Sequence, residues 1–134
     1  MLVVGQEKTE RIEPAVVRAL GAFGGGIASS GGICGIVPGA VAMISSIYSR
    51  SSLAEKEDPR MWQLSRKFMK RFEEMTREHG GMNCADIARV DWRDREAVKN
   101  YYADPDGRRR ICVELVGEAA ALLGVLLEEA SCSS

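Results

Sequence analysis

The chain has 134 residues, an apolar content of 46% and a formal net charge of −1. This length suits one domain that can bury a core without disulfide or metal support, and we expect that domain to span residues 1–134. A nucleic-acid-binding protein normally carries an excess of basic residues on one surface. The near-neutral charge therefore excludes nucleic acid as an expected partner, since the basic run at 108–110 lies beside Asp104 and Asp106.

The cysteine content and the first residues indicate the compartment. Four cysteines would permit a disulfide framework in a small secreted protein. Residues 1–10 do not resemble a secretory signal, because a short apolar start is followed at once by Gln6, Glu7 and Lys8. Cysteines of a cytosolic chain are more often catalytic, metal-binding or packed than paired in disulfides. We therefore expect a cytoplasmic protein.

Residues 1–10 are predicted to be a mobile, polar lead-in. A helix is expected from Pro14, which suits a first helical turn, to the glycines at 21–26. Residues 19–49 lack charge, but glycines and Pro38 divide them, so they are not expected to span a membrane. From 34 to 50 apolar residues occur on nearly every side, which predicts a buried helix.

The second half of the chain is predicted to be helical as well. Apolar residues at three- and four-residue spacing indicate an amphipathic helix over 59–78, and a short helix is expected over 84–90 after Asn83. Residues 91–100 are expected to add a turn or two, before a last helix over 110–129 and a mobile tail over 130–134. The sequence thus predicts an all-α, compact bundle of about five helices. Its two buried apolar central helices would be 34–50 and 110–129.

Three cysteines, Cys34, Cys84 and Cys112, stand where a helical pattern is predicted to begin. A helix start presents unpaired backbone N–H groups and the positive end of the helix dipole. Both lower the pKa of a thiol that reaches them and favour the thiolate, which attacks disulfides and binds metals. If the fold gathers these sulfurs, they form a thiol-redox or metal-binding site. If it scatters them, they are three small buried apolar residues.

Several features occur in a set order along the chain. They are the glycines at 24–26, the run Cys34-Gly35-Ile36-Val37-Pro38-Gly39, Asn83-Cys84 after an amphipathic helix, and Cys112 at the start of the last helix. This order resembles the C-GCAxxG-C-C family of small redox-active proteins, which carry a CGAxxG motif and four cysteines. The resemblance covers roughly residues 18–127.

The resemblance implies a cysteine-centred redox role or a metal site at Cys34, Cys84 and Cys112, with an iron–sulfur cluster as one candidate cofactor. It also implies genes that often lie beside transporters, so a transporter association and a redox partner protein are both expectations. Independently, Gly35 and Gly39 lie one helical turn apart, which would let a cofactor or another backbone approach closely.

The chain departs from the family pattern at two places. Ile36 replaces the alanine of the motif, and no cysteine precedes Cys34, so three of the four family cysteines are matched. A four-thiolate cluster would need a further ligand from Cys132, His79, a carboxylate, water or another subunit. The preferred interpretation of Cys132, which lies in a polar tail, is an incidental exposed thiol.

Three hypotheses follow. The first is a small redox or metal-binding protein in which the three cysteines converge. The second is a non-catalytic helical interaction protein whose cysteines serve packing, and the third is a thiol-dependent oxidoreductase with an unnamed substrate. Whether the protein is an enzyme stays open. A homodimer is also expected, because such apolar central helices leave surface for a second subunit to cover.

Overall fold

The computed structural model describes residues 1–132. Over these residues the chain forms seven α-helices and no strand beyond one isolated bridge, which confirms the all-α class. The bundle has seven helices rather than about five, because residues 2–9 and 95–103 also form helices. The helices are α1 (Leu2–Thr9), α2 (Pro14–Ala19), α3 (Ile36–Tyr48), α4 (Arg60–Thr76), α5 (Cys84–Ile87), α6 (Arg95–Ala103) and α7 (Arg108–Cys132).

Helix α3 lies at the centre and packs against α1, α4 and α7. None of its residues is exposed, as its apolar pattern predicts, and Ala40, Met43 and Ile44 are completely buried. Helix α4 covers it with an amphipathic face on which Phe68 and Phe72 are also completely buried. Burying an aromatic side chain of this size removes a large apolar area from water, so these contacts stabilise the bundle strongly.

Helix α7 is buried along one face only. Leu115, Ala119 and Leu123 point into the core, whereas Val113 and Val125 are exposed on the other side. The prediction that residues 110–129 form a buried central helix is therefore too broad. Apolar residues on several faces of a helix indicate burial only when other elements surround it, and here α1, α3, α4, α5 and α6 leave one side of α7 uncovered.

The polar N-terminal segment forms helix α1 instead of the frayed lead-in that its composition suggests. Gln6 is 2% exposed because its amide bonds the backbone of Glu13: the Glu13 N–H donates to Oε1 at 3.0 Å, and Nε2 donates to the Glu13 carbonyl at 3.3 Å. Gly5 lies against Met43, where a Cβ would stand 2.6 Å from the methionine Cγ. A satisfied amide and a close helix contact thus fix this segment.

The described helices also bear on the predicted C-terminal tail and on the prediction that residues 19–49 do not span a membrane. Helix α7 continues through residues 130–132, and the predicted mobility of 133–134 lies outside the described residues. Within residues 1–132, no helix combines the length and the apolar character needed to cross a membrane.

Candidate functional site

Two loops meet at a short antiparallel bridge between Ile33 and Asn83. The Cys34 N–H donates to the Met82 carbonyl at 2.9 Å, and the Cys84 N–H donates to the Gly32 carbonyl at 2.7 Å. Successive side chains of a strand point to opposite faces, and residues paired across two strands point to the same face. Cys34 and Cys84 each follow one residue of the bridge, so both face the same side of it. Their positions are diagonal in the pairing, for which Cα separations are about 7–8 Å. The fold therefore brings together two cysteines that are fifty positions apart in the chain.

A left-handed loop supports this bridge. Five consecutive residues have positive φ: Gly25, Gly26, Ile27, Ala28 and Ser29. The Gly31 and Gly32 N–H groups donate to the carbonyls of Gly25 and Gly26 at 3.0 and 3.1 Å. Left-handed residues other than glycine are strained and persist only where the surroundings hold them. The strained residues Ile27, Ala28 and Ser29 precede Cys34 by five to seven positions, in the segment that leads into the bridge.

The pKa values of Cys34 and Cys84 respond to Cys112. Burial raises the pKa of the Cys34 thiol, the Ile36 N–H lowers it, and neighbouring Cys84 and Cys112 thiolates raise it. Burial also raises the pKa of Cys84, with a further increase from Cys112. The repulsion between thiolates means that Cys112 lies within electrostatic range of Cys34 and of Cys84. It also means that ionising one of them disfavours ionising the next.

Two aromatic side chains contact the sulfurs. The Trp92 Nε1–H donates to the Cys84 Sγ at 3.1 Å, which lowers the pKa of that thiol. The pKa of Tyr101 is raised, first by burial and then by its hydrogen bond to Cys112, as expected when the phenol O–H donates to sulfur. The Trp92 and Tyr101 rings meet edge to face at 5.1 Å. These residues were missed by sequence reasoning, because no spacing rule links either aromatic residue to its cysteine.

The predicted positions at helix starts hold for two of the cysteines. Cys34 lies two residues before α3 and Cys84 is the first residue of α5, whereas Cys112 is the fifth residue of α7. The predicted lowering of the thiol pKa is wrong for Cys34 and Cys84, because desolvation exceeds the effect of the N–H donors. Partial burial among apolar neighbours disfavours the thiolate more than one donor favours it.

Cys132 lies far from this region. It and Cys112 belong to one continuous helix, and twenty residues of α-helix span about 30 Å. Cys132 is exposed, as the incidental-thiol interpretation expects, and the described helix keeps it from acting as a fourth ligand within the same chain. His79 lies in the 3₁₀ turn after α4 and lines a surface pocket together with Ile111.

The chain itself occupies the space beside the two motif glycines. A Cβ at Gly35 would stand 3.0 Å from the Phe23 carbonyl oxygen, and one at Gly39 would stand 3.1 Å from the Met1 Cβ. The close approach predicted for them is thus made by Phe23 at Gly35 and by Met1 at Gly39. A cofactor-binding role for Gly35 and Gly39 stays a prediction.

No metal centre is formed by the donor groups of the described residues. Among residues 1–132, no group of three or more histidine, cysteine, aspartate or glutamate side chains is arranged to hold a metal ion. Cys34, Cys84 and Cys112 interact electrostatically, yet they do not form such a group. The Cys84 sulfur instead accepts a hydrogen bond from the Trp92 indole N–H. Because burial raises the pKa of Cys34 and of Cys84, these two cysteines are protonated thiols at neutral pH.

A family comparison decides the affiliation. The family model described as "Putative redox-active protein (C_GCAxxG_C_C)" matches residues 1–126. The chain belongs to the C_GCAxxG_C_C family. The match begins well before the predicted start at residue 18, so it includes α1 and α2. No curated protein and no solved structure matches the chain.

The raised thiol pKa values predict a loss of stability at alkaline pH for this C_GCAxxG_C_C family member. Above the ordinary thiol pKa of 9.0, Cys34 and Cys84 lose protons in the unfolded chain but retain them in the folded one. The unfolded state then binds fewer protons, so the free energy of unfolding falls as pH rises. The contribution is complete below pH 9.0 and is lost as pH passes through the raised values. Urea unfolding over a pH series measures it, and a Cys84→Ser variant should show a smaller fall. Equal slopes would contradict the assignment.

Proposed function

We propose that Cys34 and Cys84 form a dithiol–disulfide redox couple, with Cys112 as a third thiol beside it. The observation that carries the proposal is the bridge at Ile33 and Asn83, which places the two cysteines on one side of paired backbone. Cys34 is half-buried and Cys84 is buried. Cys34 is therefore the thiol that an incoming disulfide reaches first.

The reaction is thiol–disulfide exchange. The Cys34 thiolate attacks one sulfur of a substrate disulfide, forms a mixed disulfide and releases the first substrate thiolate, which takes up a proton. Cys84, deprotonated while the Trp92 N–H stabilises its sulfur, then attacks the Cys34 sulfur and releases the second substrate thiol. The substrate disulfide gains two electrons and two protons, and the protein dithiol loses them. The partner class is a protein or small-molecule disulfide.

The diagonal placement sets a geometric requirement. Disulfides join Cα atoms that are usually no more than about 6.8 Å apart, slightly less than the typical diagonal separation of about 7–8 Å. Forming the Cys34–Cys84 disulfide therefore draws the two loops together. The bridge between them consists of one residue pair, so its geometry can adjust without moving a helix of the core.

The proposal also covers the compartment and the partners of this family member. Thiols persist in a reducing compartment, so the cytoplasm suits the four free cysteines. A redox partner protein that restores the dithiol, and an association with a transporter, remain part of the proposal. An iron–sulfur cluster or another metal stays a prediction from the family resemblance, and no step of the exchange passes through one.

A structural role for the thiols is the second candidate. Cys34 and Cys112 pack against the core and Cys84 is buried, as expected for small apolar residues. In that case the protein is a helical interaction module. The two functions differ in whether Cys34 and Cys84 exchange reversibly with an added disulfide.

The deciding experiment equilibrates the purified chain in glutathione buffers of graded potential. After acid quenching, thiol alkylation and peptide mass spectrometry identify the linked cysteines. We expect a reversible Cys34–Cys84 disulfide that is absent from the Cys34→Ser and Cys84→Ser variants. Cys84→Ser should instead retain the mixed disulfide at Cys34. The matched control, Cys132→Ser, changes an exposed thiol far from the site and should oxidise as the wild type does. A dithiol that stays reduced at every potential would establish the structural role instead.

A further inference from the structure

The outward side of α7 carries apolar and small residues that the described part of the chain leaves uncovered. Val113 is 60% exposed and Val125 is 50% exposed. Gly117 and Ala121 are also exposed and lie between them at intervals of four residues. Residues four apart lie on the same side of a helix, so these four form one stripe, here called the α7 stripe.

Gly117 is the most informative member of the stripe. It stands in the middle of a 25-residue helix, where glycine disfavours the helical conformation relative to other residues. No atom of another element lies within 4 Å of the place where its Cβ would stand. Gly26 and Gly35, in contrast, have close neighbours. Nothing within residues 1–132 therefore requires the missing side chain, but the backbone of a second helix could approach there closely.

The charges at the two ends of the stripe indicate what that second helix is. Arg110 and Glu128 lie eighteen residues apart, which is five helical turns, so both lie on the side of the stripe. When a second α7 is placed antiparallel, Arg110 of each copy faces Glu128 of the other. The same register sets Val113 opposite Val125 and Gly117 opposite Ala121, in both directions.

The remaining charges of this face agree with that register. Glu114 and Glu118 would lie opposite the small residues Gly124 and Ala120, so no two carboxylates face each other. Within the chain, Arg110 pairs with Glu114 at 3.4 Å, and Glu128 pairs with Lys8 of α1. Both ion pairs are exposed and contribute little to stability, so Arg110 and Glu128 can each also form an ion pair with the second copy.

We propose that the α7 stripe binds a second copy of this chain, with the two α7 helices antiparallel around a twofold axis. A symmetric interface requires a self-complementary surface, in which residue i contacts j and j contacts i. The α7 stripe meets this requirement in its apolar ends and its small centre, and Arg110 and Glu128 meet it in their charges. The proposal does not depend on the thiol chemistry, because Cys112 faces away from the stripe toward the core.

The first test measures mass by sedimentation equilibrium over a concentration series. We expect twice the 14.6 kDa of one chain at high concentration. Gly117→Leu should raise the dimer dissociation constant on the order of tenfold. Its folding should not suffer, because the site is open and leucine favours helix. Gln63→Leu, which adds a leucine at an exposed position of α4, should leave the mass unchanged. A wild-type chain that stays monomeric, or a Gly117→Leu chain that dimerises normally, overturns the proposal.

The second test uses charge reversal. Arg110→Glu and Glu128→Arg should each weaken dimerisation by up to about fivefold, and the double variant should restore it. The two positions are about 27 Å apart along one helix, so a restored affinity can come only from contact between copies. A double variant that remains as weak as the single variants overturns the antiparallel arrangement.

Discussion

Replacing Gly26 with alanine is expected to lower the free energy of unfolding by at least about 2 kcal/mol and to open the cysteine site. Gly26 has a φ of 76°, where alanine is strained. An alanine Cβ would also stand 2.4 Å from the Gly32 nitrogen and 2.5 Å from its oxygen. These contacts are with backbone, so no side-chain rotation can relieve them.

The same substitution should change the chemistry of the site. The Gly32 carbonyl accepts the Cys84 N–H, so displacing Gly32 removes one of the two hydrogen bonds of the bridge. We expect Cys84 to become more accessible and to react faster with a neutral alkylating reagent. Urea unfolding followed by circular dichroism measures the stability, and peptide mass spectrometry measures the alkylation of Cys84.

Gly24→Ala provides the matched control for this prediction. Gly24 has an extended conformation that alanine adopts readily, with φ of −65° and ψ of 160°, and no atom within 4 Å of its Cβ position. This variant should be as stable as the wild type or slightly more stable, because alanine restricts the unfolded chain. Equal losses at Gly24 and Gly26 would show that the left-handed loop does not support the site.

Much of the helical fold could be predicted from residue spacing. The amphipathic pattern of α4 is periodic and long, and Phe68 and Phe72 are buried as it predicts. Helix α1 could not be predicted in this way, because its buried Gln6 is stabilised by a backbone partner seven residues away. The exposure of Val113 could not be predicted either, because the apolar pattern of residues 110–129 does not reveal which side of α7 lacks a neighbour.

The site was predictable in part for a similar reason. Cys34, Cys84 and Cys112 could be chosen as residues, and the backbone bridge brings Cys34 and Cys84 to neighbouring positions. The raised pKa values of Cys34 and Cys84 could not be predicted, because they depend on desolvation by elements distant in the sequence. The left-handed conformation of Ile27 was equally hidden, since a β-branched residue disfavours positive φ in the absence of tertiary support.

The second large effect is expected from Trp92→Phe, which should slow the alkylation of Cys84 at neutral pH by about tenfold or more. Phenylalanine preserves most of the aromatic contact with Tyr101 but lacks the Nε1–H that donates to the Cys84 Sγ. A hydrogen bond to a charged group contributes about 1.5–3 kcal/mol net, and 1.4 kcal/mol corresponds to a tenfold change. The lost donor leaves a desolvated thiolate with less compensation, so the pKa of Cys84 rises further and the thiolate becomes rarer.

The measurement is a pH profile of the alkylation rate, resolved by cysteine with peptide mass spectrometry. In the Trp92→Phe variant the profile of Cys84 should move to higher pH, because the rate follows the thiolate population. The profile of Cys132 should not move, since that thiol is exposed and remote. A loosened fold would accelerate the reaction of a buried thiol, which is opposite in sign to the loss of a donor.

Trp62→Phe makes the same chemical change at an exposed tryptophan whose indole N–H donates to Glu57. It should leave the Cys84 profile unchanged, so a shift common to both variants would contradict the specific role of Trp92.

The reversible Cys34–Cys84 disulfide gives a second readout. Because the Trp92 donor stabilises the thiolate that attacks in the resolving step, its removal should prolong the life of the mixed disulfide at Cys34. A Cys84 alkylation profile that moves to higher pH, together with a longer-lived mixed disulfide, would assign Trp92 to the thiol chemistry rather than to packing alone.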